Sequence, residues 1–265
     1  ISPKTLEYFH NLNSERFKFN QYAFNRVCCV NHISTAFTMM NKNHELVTNE
    51  NCRKLLDMAF YESDCLHVVK WIFESSGINT QIFYYDKFNI IQDIDNADID
   101  MYMITNKYLP YVPEHLIHLS NMGYLSDCKQ LICNFHEKSM EYLTTYPVDI
   151  LTGAFNSGRL EMVKYISGFV TSEVFIRVAH DTFPSICEDE SKELIRYIID
   201  NIELPTNIII SGIEKICETS SMFIFRWLFD KVSQHVSNVE LFIFLKIACK
   251  HRRAESILNF LVTFF

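Results

Sequence analysis

The chain has 265 residues, of which 48% are hydrophobic, and its 24 basic and 32 acidic residues give a formal net charge of −8. This apolar content excludes wholesale disorder, which requires low hydrophobicity together with high net charge. Six Gly and six Pro are too few turn formers for a β-sandwich, barrel or propeller of this length. The acidic balance counts against nucleic-acid binding, because Lys and Arg must neutralise phosphates.

No apolar run approaches the ~20 residues that a membrane-spanning helix needs. The strongest candidate, residues 239–247, is interrupted by Glu240 and Lys246. The first residues lack the basic-then-apolar pattern of a signal peptide. Nine Cys is an odd number, and several lie among apolar residues, as buried free thiols do. We therefore expect no membrane span and an intracellular, cytoplasmic location.

A four-residue motif recurs along the chain: an apolar, a basic, an aromatic and an aliphatic residue. The copies, the second and last of them looser, are Val69–Ile72, Cys128–Leu131, Val163–Ile166, Ile195–Ile198, Phe225–Leu228 and Leu258–Leu261. Successive copies are separated by 59, 35, 32, 30 and 33 residues. The gap of 59 is about two periods, and a degenerate copy at Asp98–Ile104 fills it. The chain therefore contains an internal repeat.

Each repeat is predicted to contain two helices, the second of which carries the motif. Pro113, Pro147 and Pro205 stand just ahead of a predicted first helix. Proline is favourable there because the N–H groups of the first turn have no hydrogen-bond partner within the helix. Gly123 and Gly158 fall between the two helices, where a left-handed residue commonly ends a helix. The apolar residues of the second helix recur every three residues and form one stripe.

A helix pair this short cannot bury its apolar face alone, so at least three pairs must stack to form a core. We predict that residues 51–265 are the repeat array and that residues 1–50 are capping helices or a degenerate repeat. The aromatic residue of each motif is expected to pack between neighbouring repeats, and a ligand cage is the alternative. These aromatic residues are Trp71, Tyr165, Tyr197, Trp227 and Phe260.

Residues 156–166, Asn-Ser-Gly-Arg-Leu-Glu-Met-Val-Lys-Tyr-Ile, resemble the second half of an ankyrin repeat. Residues 64–72 are similar, and Ser75–Asn79 is like the loop that links ankyrin repeats. The chain departs from the family in lacking its Thr-Pro-Leu-His start. The resemblance, to divergent repeats of large DNA viruses and amoebae, implies an all-α solenoid of about six to eight stacked helix–turn–helix repeats with short loops. It also implies a non-enzymatic scaffold that binds a partner protein through its concave face and loops.

Signals for catalysis or metal binding are weak throughout the sequence. Cys128, Cys133 and His136 lack the second ligand pair of a structural zinc site. The acidic residues 93–100 lack the Gly and Glu of a calcium loop, and we interpret them as a solvated loop or helix start. Cys28 and Cys29 with His32 have no accompanying oxyanion hole. We therefore expect no catalytic, cofactor-binding or metal-binding residue and no enzymatic activity.

Two alternatives for the function remain open from the sequence. The alternatives to the interaction scaffold are a structural component of a larger assembly, for example a virion, and a viral or microbial adaptor directed at host proteins. In the viral case, its location is the host cytoplasm or the virion. The sequence assigns neither the partner-binding residues nor the oligomeric state, because contacts in repeat scaffolds vary from one repeat to the next.

Overall fold

The computed structural model describes residues 19–30, 32–61, 65–77, 97–219, 221–251 and 254–263. Over these ranges the chain forms sixteen α-helices and no β-strand. This confirms the predicted all-α class. None of the helices in these ranges is long and apolar enough to cross a membrane. The chain divides into two compact units, residues 1–115 and residues 116–265, and the predicted division at residue 50 stays a prediction.

The described part of the N-terminal unit contains five α-helices. Its helices are α1 (Gln21–Cys29), α2 (Ile33–Lys42), α3 (Asn49–Tyr61), α4 (Leu66–Lys70) and α5 (Ala97–Thr105). Helix α4 continues into a π-helical turn over Trp71–Ser75. Helix α2 packs on α1 and α3, and α4 packs on α3 and α5. The core between them contains the buried side chains Phe24, Met39, Met40, Leu55, Leu56 and Ile99.

The C-terminal unit contains consecutive helices that are arranged in pairs from α9 onwards. Helix α6 (Pro113–Met122) begins just before the division between the units. The remaining helices are α7 (Leu125–Asn134), α8 (His136–Thr145), α9 (Pro147–Asn156), α10 (Leu160–Ser167), α11 (Ser172–Glu188), α12 (Lys192–Asn201), α13 (Thr206–Thr219), α14 (Met222–Val232), α15 (Asn238–Lys250) and α16 (Glu255–Val262).

The packing of these helices follows the repeat. Helices α9, α11, α13 and α15 pack against one another in that order, and each also packs on the helix that follows it in the chain. The motif lies in the second helix of each pair, which is α10, α12, α14 or α16. In addition, α10 packs on α12 and α14 packs on α16. Each block from residue 147 onwards therefore has the two helices that the sequence predicts.

Helix boundaries lie where the sequence predicts them. Helices α6 and α9 begin at Pro113 and Pro147, and α13 begins one residue after Pro205. After the ends of α6 and α9, Gly123 and Gly158 adopt φ angles of +71° and +66°, which disfavour any residue with a side chain. These glycines therefore terminate the first helix of each pair and allow the chain to reverse.

Neighbouring first helices approach closely where their residues are small. A Cβ atom at Gly153 would lie 3.0 Å from the carbonyl oxygen of Ile117 and 3.2 Å from the amide nitrogen of Asn121. A Cβ atom at Gly212 would lie 2.8 Å from Cε1 of Phe183. Small residues here allow α9 to lie against the backbone of α6, and α13 against α11.

Candidate functional site

Cationic and aromatic side chains of successive motifs pair along the C-terminal unit. The cation of each motif lies over the aromatic ring of the next, 31 to 36 residues further on. The distances from the cationic atom to the ring centroid are 5.3 Å for Lys129–Tyr165, 5.6 Å for Lys164–Tyr197, 5.9 Å for Arg196–Trp227 and 5.3 Å for Arg226–Phe260. We call these eight residues the ladder.

The positions of the ladder residues follow from helical geometry. The first and fourth residues of a motif are one turn apart and face the core, as the burial of Ile195 and Ile198 illustrates. The third residue is then half-buried and the second is exposed, as Tyr197 and Arg196 are. Each cation therefore reaches the next ring across the surface, a contact that contributes about 0.5–1 kcal/mol at exposed sites. These contacts support the predicted packing between neighbouring repeats for Tyr165, Tyr197, Trp227 and Phe260.

A pair of the same kind lies in the described part of the N-terminal unit. Lys70 Nζ lies 5.5 Å from the ring centroid of Tyr102 on α5. Tyr102 is therefore the third residue of a motif whose first residue is Asp100. The helix and the pair together support a degenerate motif at residues 98–104, which the sequence placed in the long gap.

A cleft of about 440 Å³ opens between α12 and α14. Helix α12 packs against α10, and α14 packs against α16. The cleft therefore separates the second helices α10 and α12 from the second helices α14 and α16. Tyr197 and Trp227 of the ladder line it, and Phe223 beside them is 60% exposed. The remaining lining residues are Leu160, Lys192, Glu193, Arg196, Asp200, Asn201 and Ile224. The cleft thus combines apolar walls with charged side chains of both signs.

Arg196 has no ion pair in the described part of the chain. Glu193 and Asp200 lie about one helical turn before and after it on α12, yet neither approaches it within 4.0 Å. In the preceding repeat, by contrast, Lys164 Nζ lies 3.6 Å from Glu161 Oε1. The guanidinium of Arg196 is instead held over the Trp227 ring. Its hydrogen-bond donors are therefore available to another molecule.

Sequence analysis did not identify Phe223 as a surface residue. Helix α14 is apolar around most of its circumference, with Ile224, Phe225, Leu228, Phe229 and Val232 buried. Those five positions form one stripe, and the helical period places Phe223 on the opposite face. The helical spacing therefore predicts that Phe223 is exposed, but this prediction requires the boundaries of the helix.

A second exposed apolar region lies on α15. Val239, Phe242 and Ile243 are 69%, 62% and 37% exposed, and their spacing of three and four residues places them on one helix face. The opposite face of α15 buries Leu241, Phe244 and Ala248. We call the three exposed residues the α15 surface.

The structure separates the candidate zinc ligands by their burial. Cys128 is buried, and its Sγ lies 3.8 Å from Ser120 Oγ, whereas Cys133 and His136 are exposed. Burial raises the pKa of the Cys128 thiol to about 12, so this thiol is protonated at neutral pH. Within the residues described, no three His, Cys, Asp or Glu side chains form a group that could hold a metal ion.

The candidate nucleophile Cys28 lies at the end of α1. Partial burial raises the pKa of its thiol to about 11, whereas a catalytic thiol needs a lowered pKa. No hydrogen bond joins Cys28 or Cys29 to the His32 side chain in this described segment. The expectation that the chain is not an enzyme stays a prediction.

The acidic stretch contains a helix start, which is one of the two predicted alternatives, but it is not solvated throughout. Residues 93–96 lie outside the described residues, and α5 begins at Ala97. Asp98 is exposed, but Asp100 is only 2% exposed and its Oδ1 has no hydrogen-bond partner. Burial raises the pKa of Asp100 to about 7. The interpretation as a solvated stretch is therefore wrong for Asp100, which occupies the core position of its motif.

Comparisons of the chain with protein-family models, with curated proteins and with solved structures found no match.

Proposed function

We propose that the chain is a non-enzymatic protein-interaction module, an α-solenoid of ankyrin-like helix pairs that binds a partner protein through the cleft. The observation that carries this proposal is the exposed Phe223 beside Trp227 and Arg196. Trp, Tyr and Arg dominate the binding energy of protein interfaces, where they occupy pockets near the centre of the contact.

We choose the cleft in preference to the concave face and loops because of its side chains. Phe223 exposes most of an aromatic side chain that contributes little to the core. The half-buried rings of Tyr197 and Trp227 are held by neighbouring cations. Such pre-positioned rings lose little conformational entropy when a partner binds. We propose that the partner is a protein. We also propose that the chain itself is located inside a host cell or a virion.

Two phenylalanines provide a matched test of this proposal. Phe223 in the cleft and Phe242 on α15 are 60% and 62% exposed, so replacing either with Ala should leave the fold intact. We expect Phe223→Ala to reduce the recovery of a co-purifying partner from extracts of the source cells by at least about tenfold, the effect of a hot-spot residue. Phe242→Ala should retain the partner, and quantitative mass spectrometry measures both. Equal recovery with both variants contradicts binding at the cleft.

The α15 surface favours a second candidate, a structural component of a larger assembly. Exposed apolar side chains on one helix face are typical of surfaces that become covered in a complex. This candidate predicts a mass above the 31.2 kDa of one chain in size-exclusion chromatography with light scattering. Phe242→Glu should return the chain to a monomer, and Phe223→Glu should not. A monomeric wild-type chain at high concentration removes this candidate.

A further inference from the structure

We infer that the cleft binds a segment of the partner in which a carboxylate lies beside an apolar anchor, and that the carboxylate pairs with Arg196. This inference rests on the proposed function and adds the chemistry of the partner. It follows from the position of Arg196, from the distribution of charge along α12, and from the apolar wall on α14.

Arg196 is exposed but held in place. Its Cζ atom lies 5.9 Å from the ring centroid of Trp227, and stacking on an aromatic ring restricts the rotation of the long side chain. The guanidinium carries five N–H donors in a fork that matches the two oxygens of a carboxylate. An arginine positioned in advance loses less entropy when it binds such a group.

Charge is distributed unevenly along the α12 wall of the cleft. Arg196 lies in the middle of the helix, one turn after Lys192 and one turn before Asp200, and Glu193 follows Lys192 directly. With a rise of 1.5 Å per residue, Lys192 and Asp200 are separated by about 12 Å along the axis. The helix dipole adds positive potential near Lys192. A carboxylate that pairs with Arg196 is therefore favoured on the side that faces Lys192 and the helix start, rather than on the side that faces Asp200, in spite of the nearby Glu193.

The opposite wall of the cleft supplies the apolar contact. Phe223 and Trp227 lie four residues apart on α14, so their side chains share one face of the helix. A partner that offered only a charge would leave these two rings in water. The segment that fits both walls is therefore one with a leucine-type or aromatic side chain next to an aspartate or glutamate.

The chain offers a direct optical test because it contains only two tryptophans, Trp71 and Trp227. In a Trp71→Phe background, Trp227 fluorescence reports on the cleft alone. The probes are three blocked, alanine-based peptides, each with two leucines one turn apart and flanked by two aspartates, two asparagines or two lysines. We expect the aspartate peptide to bind about fivefold more tightly than the asparagine peptide, and the lysine peptide to bind most weakly.

Two arginines of the ladder provide matched variants. Arg196→Ala should remove the preference for the aspartate peptide, whereas Arg226→Ala, which removes the next cation of the ladder outside the cleft lining, should keep it. Arg196→Lys should retain part of the preference, since it keeps the charge and loses the fork. The preference should also decrease as salt is added.

Several results overturn the inference. One is equal binding of the aspartate and asparagine peptides, and another is a preference that survives in Arg196→Ala. A third is the lack of any fluorescence change with any peptide up to about 1 mM. Equal binding that is lost in Phe223→Ala leaves the proposed function intact, because the cleft then binds apolar segments without regard to charge. Loss of partner recovery in Phe242→Ala instead of Phe223→Ala overturns the proposed function itself.

Discussion

Replacing Asp100 with Asn is expected to stabilise the N-terminal unit by about 4 kcal/mol at pH 7. The carboxyl of Asp100 is buried and one of its oxygens has no hydrogen-bond partner. Burial raises its pKa to about 7, compared with about 3.9 in an unfolded chain. A difference of about three pKa units corresponds to about 4 kcal/mol of stability that depends on protonation.

The sign of this effect follows from proton binding. Because the pKa of Asp100 is higher in the folded chain, the folded state binds the proton more tightly than the unfolded state does. The contribution to stability is fully present below about pH 4, and it is lost as the pH rises through about 7. The Asn variant has no such dependence at this position. Its advantage over the wild type should therefore increase from pH 4 to pH 7 and then level off.

Urea unfolding at several pH values measures the difference between the two chains. In a Trp227→Phe background, Trp71 becomes the only tryptophan, and its half-buried side chain belongs to the core of the N-terminal unit. Asp98→Asn is the matched control, since Asp98 lies on the same helix and is exposed, and it should change stability by less than about 0.5 kcal/mol. A difference that stays constant between pH 4 and pH 8 contradicts the assignment of the raised pKa.

Much of the local architecture could be predicted from the sequence because it depends on nearby residues. Proline fixes a helix start and glycine permits the left-handed turn after a helix, and Pro147 and Gly158 do so here. The motif predicts an apolar stripe, and its burial at Ile195 and Ile198 follows from the helical period. The regular spacing then places each cation near the next ring, although the motif alone does not reveal that the pairs form.

Other features depend on contacts between distant residues. Helix α8 precedes α9 and lengthens the block between the motifs at 128 and 163, yet the two-helix repeat predicts no helix there. Helix α11 continues through Pro184, although proline normally ends a helix. The cleft depends on how α12 and α14 pack on their other neighbours. None of these arrangements is encoded in a short stretch of sequence.

The burial of Asp100 illustrates the same limit. Four aspartates and an asparagine are interspersed with apolar residues between positions 93 and 100, and composition alone indicates a solvated segment. The helical register of α5 places Asp100 at the position that Val163 or Ile195 occupies in other blocks. Periodicity within the repeat, rather than the charge of the stretch, therefore decides the environment of this side chain.

Replacing Phe225 with Ala is expected to destabilise the C-terminal unit by about 3–5 kcal/mol. Phe225 is the first residue of its motif and is fully buried, with 0% exposure. Its ring stacks on Phe229 with centroids 5.6 Å apart, and it meets Phe260 of the following helix pair edge-on at 5.8 Å. The substitution removes apolar area, leaves a cavity and ends two aromatic contacts, one of which joins neighbouring repeats.

Urea unfolding followed by Trp227 fluorescence in a Trp71→Phe background measures this loss. Phe242→Ala is the matched control, because the same atoms are removed from a side chain that is 62% exposed, and its effect should stay within about 0.5 kcal/mol. Phe225→Leu should cost less than the Ala variant, since it retains most of the volume. If stacked pairs share one core, the loss in Phe225→Ala exceeds that of Phe242→Ala by several kcal/mol. A loss below about 1 kcal/mol contradicts that packing.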